Sequence, residues 1–592
     1  MSLSDGATFE RKLDWVYNYI TNTLLPELDG KLDEWFEQYK KDLVELLAGV
    51  EAVKVEWQEL FNQFLTDVTT SLEGLNDQAA ANLVNNHASL LYEALNKNFV
   101  SNDEIVVNVL DHGAKGDGVT DDRLAVMAAL DVIADNGGGT LFFPSGYDFW
   151  WSDIVALEPR HSNLHVLGYG AKIGKKNLSD ARYAIFSSKS MGARGYGAGV
   201  RNVVFEGMEF YGDLTIGRDA CAFAGNQAEN IYFRNVKFTG MHGRGHIADL
   251  SGCRNVHLDY CVFAGATNDR TGNYLHSEAI QLDISAAGAA SAPDEPGSWS
   301  GLPTVDVYVN HCQFIPLKLG NTTYPAPKPL GSHTRRENAW FENINFTYNK
   351  ILDPLFNVTS DLPGDLHFVC ARNIKIIGNE WRLTSAASHI AIGLYSTDRG
   401  TAQNSNNEES GTANPVAQIA SMPVTDVEIA GNKFYGFGGG TLDRGYVQIK
   451  NFATNFETVV TANIKVHDNH YESLAAGAGI NAVLIEDATN VQVHGDSVVG
   501  KARALQARRL RSLTVVGEST VEPATQSVNI TDCNGFTITS NVFLSGGTLP
   551  CVLVNEGSSN GIVIANVFAG GSSSPTLIAG TNVIAENNII SI

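Results

Sequence analysis

The segment HSEAIQLD, residues 276–283, gathers Glu278, Asp283, Gln281 and His276 within eight positions. Ala279, Ile280 and Leu282 give the same segment the apolar residues of a short strand. Upstream, HIADL repeats the apolar pattern, so that aligning the two sets Asp249 beside Gln281 and His246 beside Glu278. Downstream, PLGSHTRREN adds His333, Arg335 and Arg336. Close carboxylates are the equipment of glycoside cleavage, because like charges raise one pKa and leave a general acid beside an ionised base. On parallel strands about 4.8 Å apart, two such groups stand roughly 5–10 Å apart, which covers both the retaining and the inverting geometry. Glu278 and Asp283 are the candidate acid and base, with Asp249 in reserve for either role. His246, His276, Gln281, His333 and Arg335 are candidates for hydrogen bonds to a sugar. Tyr274, Trp299 and Trp340 are candidates for stacking on its apolar face. Glu278 shares the parity of Ile280 and Leu282, so it reaches a groove only if the chain bends before Ala279.

The elements that must position these groups form a repeat. Asn or Asp is followed by alternating apolar residues, then Asn or Cys, then an aromatic or aliphatic residue. Copies begin at Asn202, Asn230, Asn255, Asp306, Asn343, Asn373, Asp426, Asn463 and Asn490, with looser ones from Gly535, Gly561 and Asn582. Short alternating strands at this spacing predict a solenoid, in which each rung buries its apolar face only against its neighbours. Cys261 and Cys312 share a repeat position with one another, as Asn349, Asn379, Asn432 and Asn469 do, which predicts stacked structural ladders. Excess residues at 266–303, 316–340 and 395–422 read as loops walling a groove. Capping of polar rungs, or a cation site, is the bland alternative for the 276–283 cluster.

Ahead of the repeat, Phe36, Tyr39, Leu43, Leu46, Val50, Val53, Trp57, Leu60 and Phe64 keep a heptad spacing. An antiparallel hairpin within one chain would bury this seam, and so would a parallel oligomeric stalk. Tyr39, Trp57 and Phe64 favour the stalk, since they overfill a two-stranded seam. The formal charge of −24 argues against non-specific nucleic-acid binding. Seven scattered cysteines without a CxxC pair argue against a disulfide framework and a zinc site. No apolar run is long enough to span a membrane, and the charged N-terminus lacks the core of a signal peptide. From Ser512 onward there is no Lys or Arg.

Residues 113–149, GAKGDGVTDDRLAVMAALDVIADNGGGTLFFPSGYDF, read as glycine turns, a helix N-capped at Thr120 with Asp121 and Asp122 in its first turn, an apolar face of Leu124, Met127, Leu130 and Ile133, and a glycine stop. This stretch resembles the opening segment of the pectate-lyase-like, right-handed parallel β-helix family, with Arg123 and Met127 as departures. The resemblance implies that fold, with the helix capping its N-terminal end. SEAIQL at 277–282 is similar to the polygalacturonase motif NTDGIDI, and GSH at 331–333 to that family's histidine motif. This places Glu278 and Gln281 at catalytic carboxylate positions. Since Gln281 cannot ionise, Asp283 or Asp249 comes forward as the second acid.

Together the parts resemble a bacteriophage tailspike or tail-fibre depolymerase. This implies an all-β solenoid on an α-helical stalk, a homotrimer made in the host cytoplasm and carried on the virion tail. Its partners would be other tail proteins and a host cell-surface polysaccharide, cleaved by a glycoside hydrolase. The expected domains are a stalk and attachment segment over 1–100, the β-helix opening and cap over 101–150, the groove-bearing β-helix over 151–510, and C-terminal β-rich rungs over 511–592. A non-catalytic glycan-binding fibre is one alternative. A polysaccharide lyase, commonly calcium-dependent, is another; the hydrolase reading needs no metal or cofactor. The heptad generates the first test: sedimentation of the full chain is expected to give a trimer, and a stable monomer overturns the parallel stalk.

Overall fold

The computed structural model describes residues 105–592 except the segments 176–183, 215–220, 242–245, 267–277, 287–296, 356–362, 397–400, 403–421, 438–442, 453–459, 474–479, 522–525, 545–549 and 570–575 and a few single positions. The heptad stalk lies outside the described residues. Residues 107–143 and 147–592 form one compact unit. Among the described residues, all but four strands lie in three long parallel sheets of 16, 14 and 15 strands, called here the first, second and third sheets, and the other four form two short two-stranded sheets. Successive strands in each sheet come from successive turns of the chain, which is a parallel β-helix. Among the described residues, no helix is long and apolar enough to cross a membrane.

The repeated Asn or Asp explains why each rung turns at the same place. Asn202, Asn230, Asn255 and Asp306 all sit at φ 57°, a left-handed conformation that Asn and Asp tolerate better than other side chains. Asn230 donates to Asn202 at 2.8 Å, Asn255 to Asn230 at 2.7 Å, and Asn463 to Asp426 at 2.8 Å. A second ladder runs inside. The backbone and amide N–H groups of Asn349 reach Asn379 Oδ1 at 2.8 and 3.0 Å, and the same double contact links Asn379 to Asn432 and Asn432 to Asn469. The core beside it is a column of rings, with Phe238 and Phe263 at 4.6 Å and Phe263 and Phe314 at 4.7 Å between centroids. All seven cysteines are buried, and none is joined in a disulfide.

The capping helix spans Arg123–Asp135 and buries Val126, Ala129, Leu130 and Ile133. Two expectations fail here. Leu124 is 75% exposed, so the buried face is turned from the one read off the sequence. Thr120 is not the cap, because the helix begins only at Arg123; its backbone N–H and hydroxyl instead donate to Asp117 at 2.7 and 2.8 Å. Asp122 stands at the cap position but makes no capping bond; its carboxylate is turned to the backbone N–H of Lys115, at 2.6 Å, and of Gly116.

Two carboxylates interrupt the inner ladder. Asn469 donates to Asp496 Oδ1, and Asp496 N–H donates to Glu518 Oε1 at 3.1 Å. Burial pushes Asp496 up to about 7, with Asp468 adding to the rise, and burial together with Asp496 pushes Glu518 well above its ordinary value. An acid raised on folding contributes fully below its unfolded pKa, and that contribution is lost as pH climbs to the folded value. The double variant Asp496→Asn with Glu518→Gln supplies the amides the ladder uses elsewhere. It is expected to match the parent near pH 4 and to exceed it above pH 7 by about 2–4 kcal/mol. Denaturant melts across that range check this, and a difference independent of pH overturns it.

Candidate functional site

The second sheet carries the cluster. Strands Ala248–Ser251, Glu278–Asp283, Lys328–Gly331 and Leu366–Val369 stack in that order. Their register sets Asp249 beside Gln281, as the apolar alignment requires, and also Ser251 beside Asp283 and Gln281 beside Gly331. Gly331 is then beside His367. The loop after Lys328–Gly331 brings His333 back over the cluster, and its Thr334–Arg335 pairs with Thr401–Ala402, so two of the three insertions meet here.

The polar groups form one connected line. Glu278 Oε1 accepts from His333 Nδ1 at 2.7 Å, and His333 Nε2 lies 3.3 Å from the Gln281 amide nitrogen. That nitrogen is 3.1 Å from Asp283 Oδ2, while Asp283 Oδ1 accepts from Thr334 Oγ1 at 2.6 Å and from Ile284 N–H at 2.7 Å. Glu278 and Gln281 therefore approach the same imidazole, although the strand keeps an unbroken register through Glu278 and that carboxylate stays fully buried. His246 contributes Nδ1 at 2.8 Å from the Glu278 carbonyl oxygen. On its far side, Glu278 Oε2 lies 3.4 Å from His367 Nε2, a contact too poorly aligned to count as a hydrogen bond.

Burial sets the charges. Glu278 is fully buried, and Gln281, Asp283, Asp249 and Arg335 are nearly so. Burial raises the Glu278 pKa, but His333 and His367 outweigh it and hold the carboxylate well below its usual range. Asp283 lacks equal compensation, and burial pushes it up to about 7. Burial opposes the His333 charge, yet Glu278 and Asp283 raise its pKa; burial and Lys328 lower that of His367. Two proton arrangements satisfy the line. In one, the Gln281 amide donates to an ionised Asp283 and to the lone pair of a neutral His333. In the other, the amide is turned by a half-rotation, so that its oxygen accepts from a protonated Asp283 and an imidazolium His333. The first matches the amide as placed; the second matches the directions in which Asp283 and His333 are shifted. We take the second for neutral pH, since it removes buried negative charge.

Other expected residues lie elsewhere. Tyr274 and His276 fall outside the described residues. Trp299 is 4% exposed and offers no open face. The Trp340 ring is covered by the Arg372 guanidinium at 4.6 Å, and its Nε1 donates to the Pro423 carbonyl oxygen at 3.2 Å. His367 was missed by sequence reading; the available signal is a glycine in register with a histidine one rung on. Donor atoms of Glu278, His333 and His367 lie within 4.8 Å of one another, close enough to share an ion. Lys328, in register with Glu278, already places a positive charge beside them.

Gly331 makes this packing possible, because a Cβ there would come 2.7 Å from the His367 ring. Gly331→Ala is expected to displace His367 and to destabilise the fold by about 1–3 kcal/mol. Chemical denaturation checks the loss, and a variant as stable as the parent overturns this reason for the glycine.

No protein-family model matches the chain. It is 26% identical over 200 residues to plasmin and fibronectin-binding protein A of Streptococcus pneumoniae, covering 31% of this chain and 27% of that protein. It is 59% identical over 39 residues to alginate lyase 7 of Azotobacter vinelandii, covering 7% of this chain and 5% of that enzyme. The chain thus spans less than a third of the length of these relatives. Among solved structures, the pneumococcal adhesin PfbA is similar at TM-score 0.48 and 16% identity, over 82% of this chain and all of that one. Bacteriophage CBA120 tailspike protein 3 is similar at TM-score 0.40 and 10% identity, over 85% of this chain and 62% of that one. A family 28 exopolygalacturonase of Yersinia enterocolitica is similar at TM-score 0.39 and 11% identity, over 73% of this chain and 78% of that one.

Proposed function

We propose that the protein binds a cell-surface polysaccharide on its second sheet and hydrolyses it, in the manner of a phage tailspike. The observation that carries this reading is the line Glu278–His333–Gln281–Asp283, which holds two carboxylates with opposed proton preferences. Asp283, pushed up to about 7, is the general acid that protonates the leaving oxygen. Glu278, kept ionised by His333 and His367, is the base or nucleophile. Gln281, His246 and Arg335 orient the sugar and the acids, and Asp249, one rung below Gln281, stands in reserve. The heptad over 36–64 supports a trimeric stalk through which such a protein joins other tail proteins. The chemistry assigned here uses no metal or cofactor.

A second reading is binding without cleavage, as by an adhesin or a receptor-binding fibre. The full burial of Glu278 favours it. Digestion of purified host-envelope polysaccharide with mass analysis of the products separates the two readings. A product absorbing in the ultraviolet would mark a lyase.

Hydrolysis has a definite pH signature. The acid must keep its proton, so the rate is expected to fall above about pH 7, where Asp283 ionises. The base stays ionised far below the ordinary carboxylate range, so the acidic limb is flat. Glu278→Gln and Asp283→Asn are each expected to lower turnover by about 10² or more while preserving glycan binding. Parent-rate digestion by both variants overturns the assignment.

A further inference from the structure

A second cluster of chemistry-bearing side chains lies on the outer face of the first sheet, away from the acids. Two rungs end alike there: VHDN, with His467, Asp468 and Asn469, and VHGD, with His494, Gly495 and Asp496. His467 and His494 are in register on neighbouring strands, and their rings stack at 4.5 Å and 14°. His467 Nδ1 lies 2.8 Å from Asp468 Oδ2, and Nε2 lies 3.4 Å from Glu428 Oε1. The donor atoms of His467, Asp468 and His494 all fall within 4.8 Å of one another.

We propose that His467, Asp468 and His494 form a surface site for a divalent transition-metal ion of the copper or nickel type. Two imidazole nitrogens with one carboxylate oxygen are the ligand set such ions prefer. The 2.8 Å separation of His467 Nδ1 and Asp468 Oδ2 suits adjacent corners of a tetragonal ion, since bonds of about 2.0 Å at a right angle end about 2.8 Å apart. Glu428 supplies the outer support. With Nε2 held at Glu428, the His467 ring presents Nδ1 to Asp468, and an ion entering there takes the place of the proton that Nδ1 and Asp468 Oδ2 share in their hydrogen bond. Gly495 is part of the design. It sits at φ 73°, and a Cβ there would come 2.4 Å from Asp468 Oδ1, so only glycine lets that carboxylate lie against the next rung. His494 completes the set by turning about its Cβ–Cγ bond, which its place at the surface permits. The remaining corners face solvent, open to water or to a ligand atom of a bound molecule.

The test is titration of untagged, full-length protein with Cu²⁺, followed by calorimetry and electron paramagnetic resonance. One ion per chain is expected at this site, with hyperfine structure from two imidazole nitrogens. His494→Ala should remove one nitrogen from the spectrum and weaken binding at least about 10-fold. Glu428→Gln should weaken it about 10- to 100-fold with the same nitrogens. Glu278→Gln, in the other cluster, should leave the spectrum and affinity unchanged. The proposal is overturned if the parent binds no ion, if His467→Ala with His494→Ala binds as the parent does, or if the ion is lost only in Glu278→Gln. Circular dichroism matching the parent confirms that each variant is folded. None of these outcomes bears on polysaccharide cleavage, so the two proposals stand or fall separately.

Discussion

Every rung must turn at the place where the rung below it turned. The left-handed residue at each first-sheet strand entrance from Asn202 onward, Asn or Asp everywhere but Ser512 and Gly535, enforces this, and the amide-to-carbonyl ladder along it transmits the register. If one rung slipped by a single residue, every side chain of its strand would exchange core for surface. Asp249, Gln281, Gly331 and His367 are brought side by side by this register alone. The chemistry of the second sheet therefore depends on amides in the first.

A solenoid core would ordinarily hold apolar residues on its inward face and solvated ones outside. Strand Glu278–Asp283 has all six residues buried, so both faces are covered. In that setting an isolated carboxylate would be costly, and the structure resolves this by unequal treatment. Glu278 receives two imidazoles, while Asp283 receives a threonine hydroxyl and one backbone N–H. Their divergent proton affinities are a consequence of that partition, with Gln281 as the joint between the two halves.

The fold was legible because its rules are periodic. The strand entrances from Asn202 to Asn490 and the inner ladder Asn349–Asn379–Asn432–Asn469 could be read from spacing alone, and both are present. The sequence put His333 on the rung after Glu278, but as a partner for a sugar; its hydrogen bond to Glu278 is visible only in the structure. What escaped was aperiodic. The buried face of the capping helix depends on how the helix rolls against the first rungs, which leaves Leu124 in solvent. His367 enters the cluster only because the neighbouring rung lacks a side chain at Gly331, a relation between residues far apart in sequence. Trp340 was expected to be open, but Arg372 lies across its face, and no local pattern announces a cation–π contact.

The seven cysteines point to a property of the whole molecule. Thiol–disulfide exchange proceeds through the thiolate and requires access. Here every sulfur is buried, and burial pushes the thiols of Cys253 and Cys370 up to about 12 and that of Cys533 up to about 11. At neutral pH the thiols of Cys253, Cys370 and Cys533 stay protonated, and all seven are shut away from solvent. Hydrogen-bond ladders between rungs do the work that covalent cross-links perform in small secreted domains. The β-helix is thus indifferent to redox potential, and the same fold holds in a reducing cell interior and in an oxidising medium.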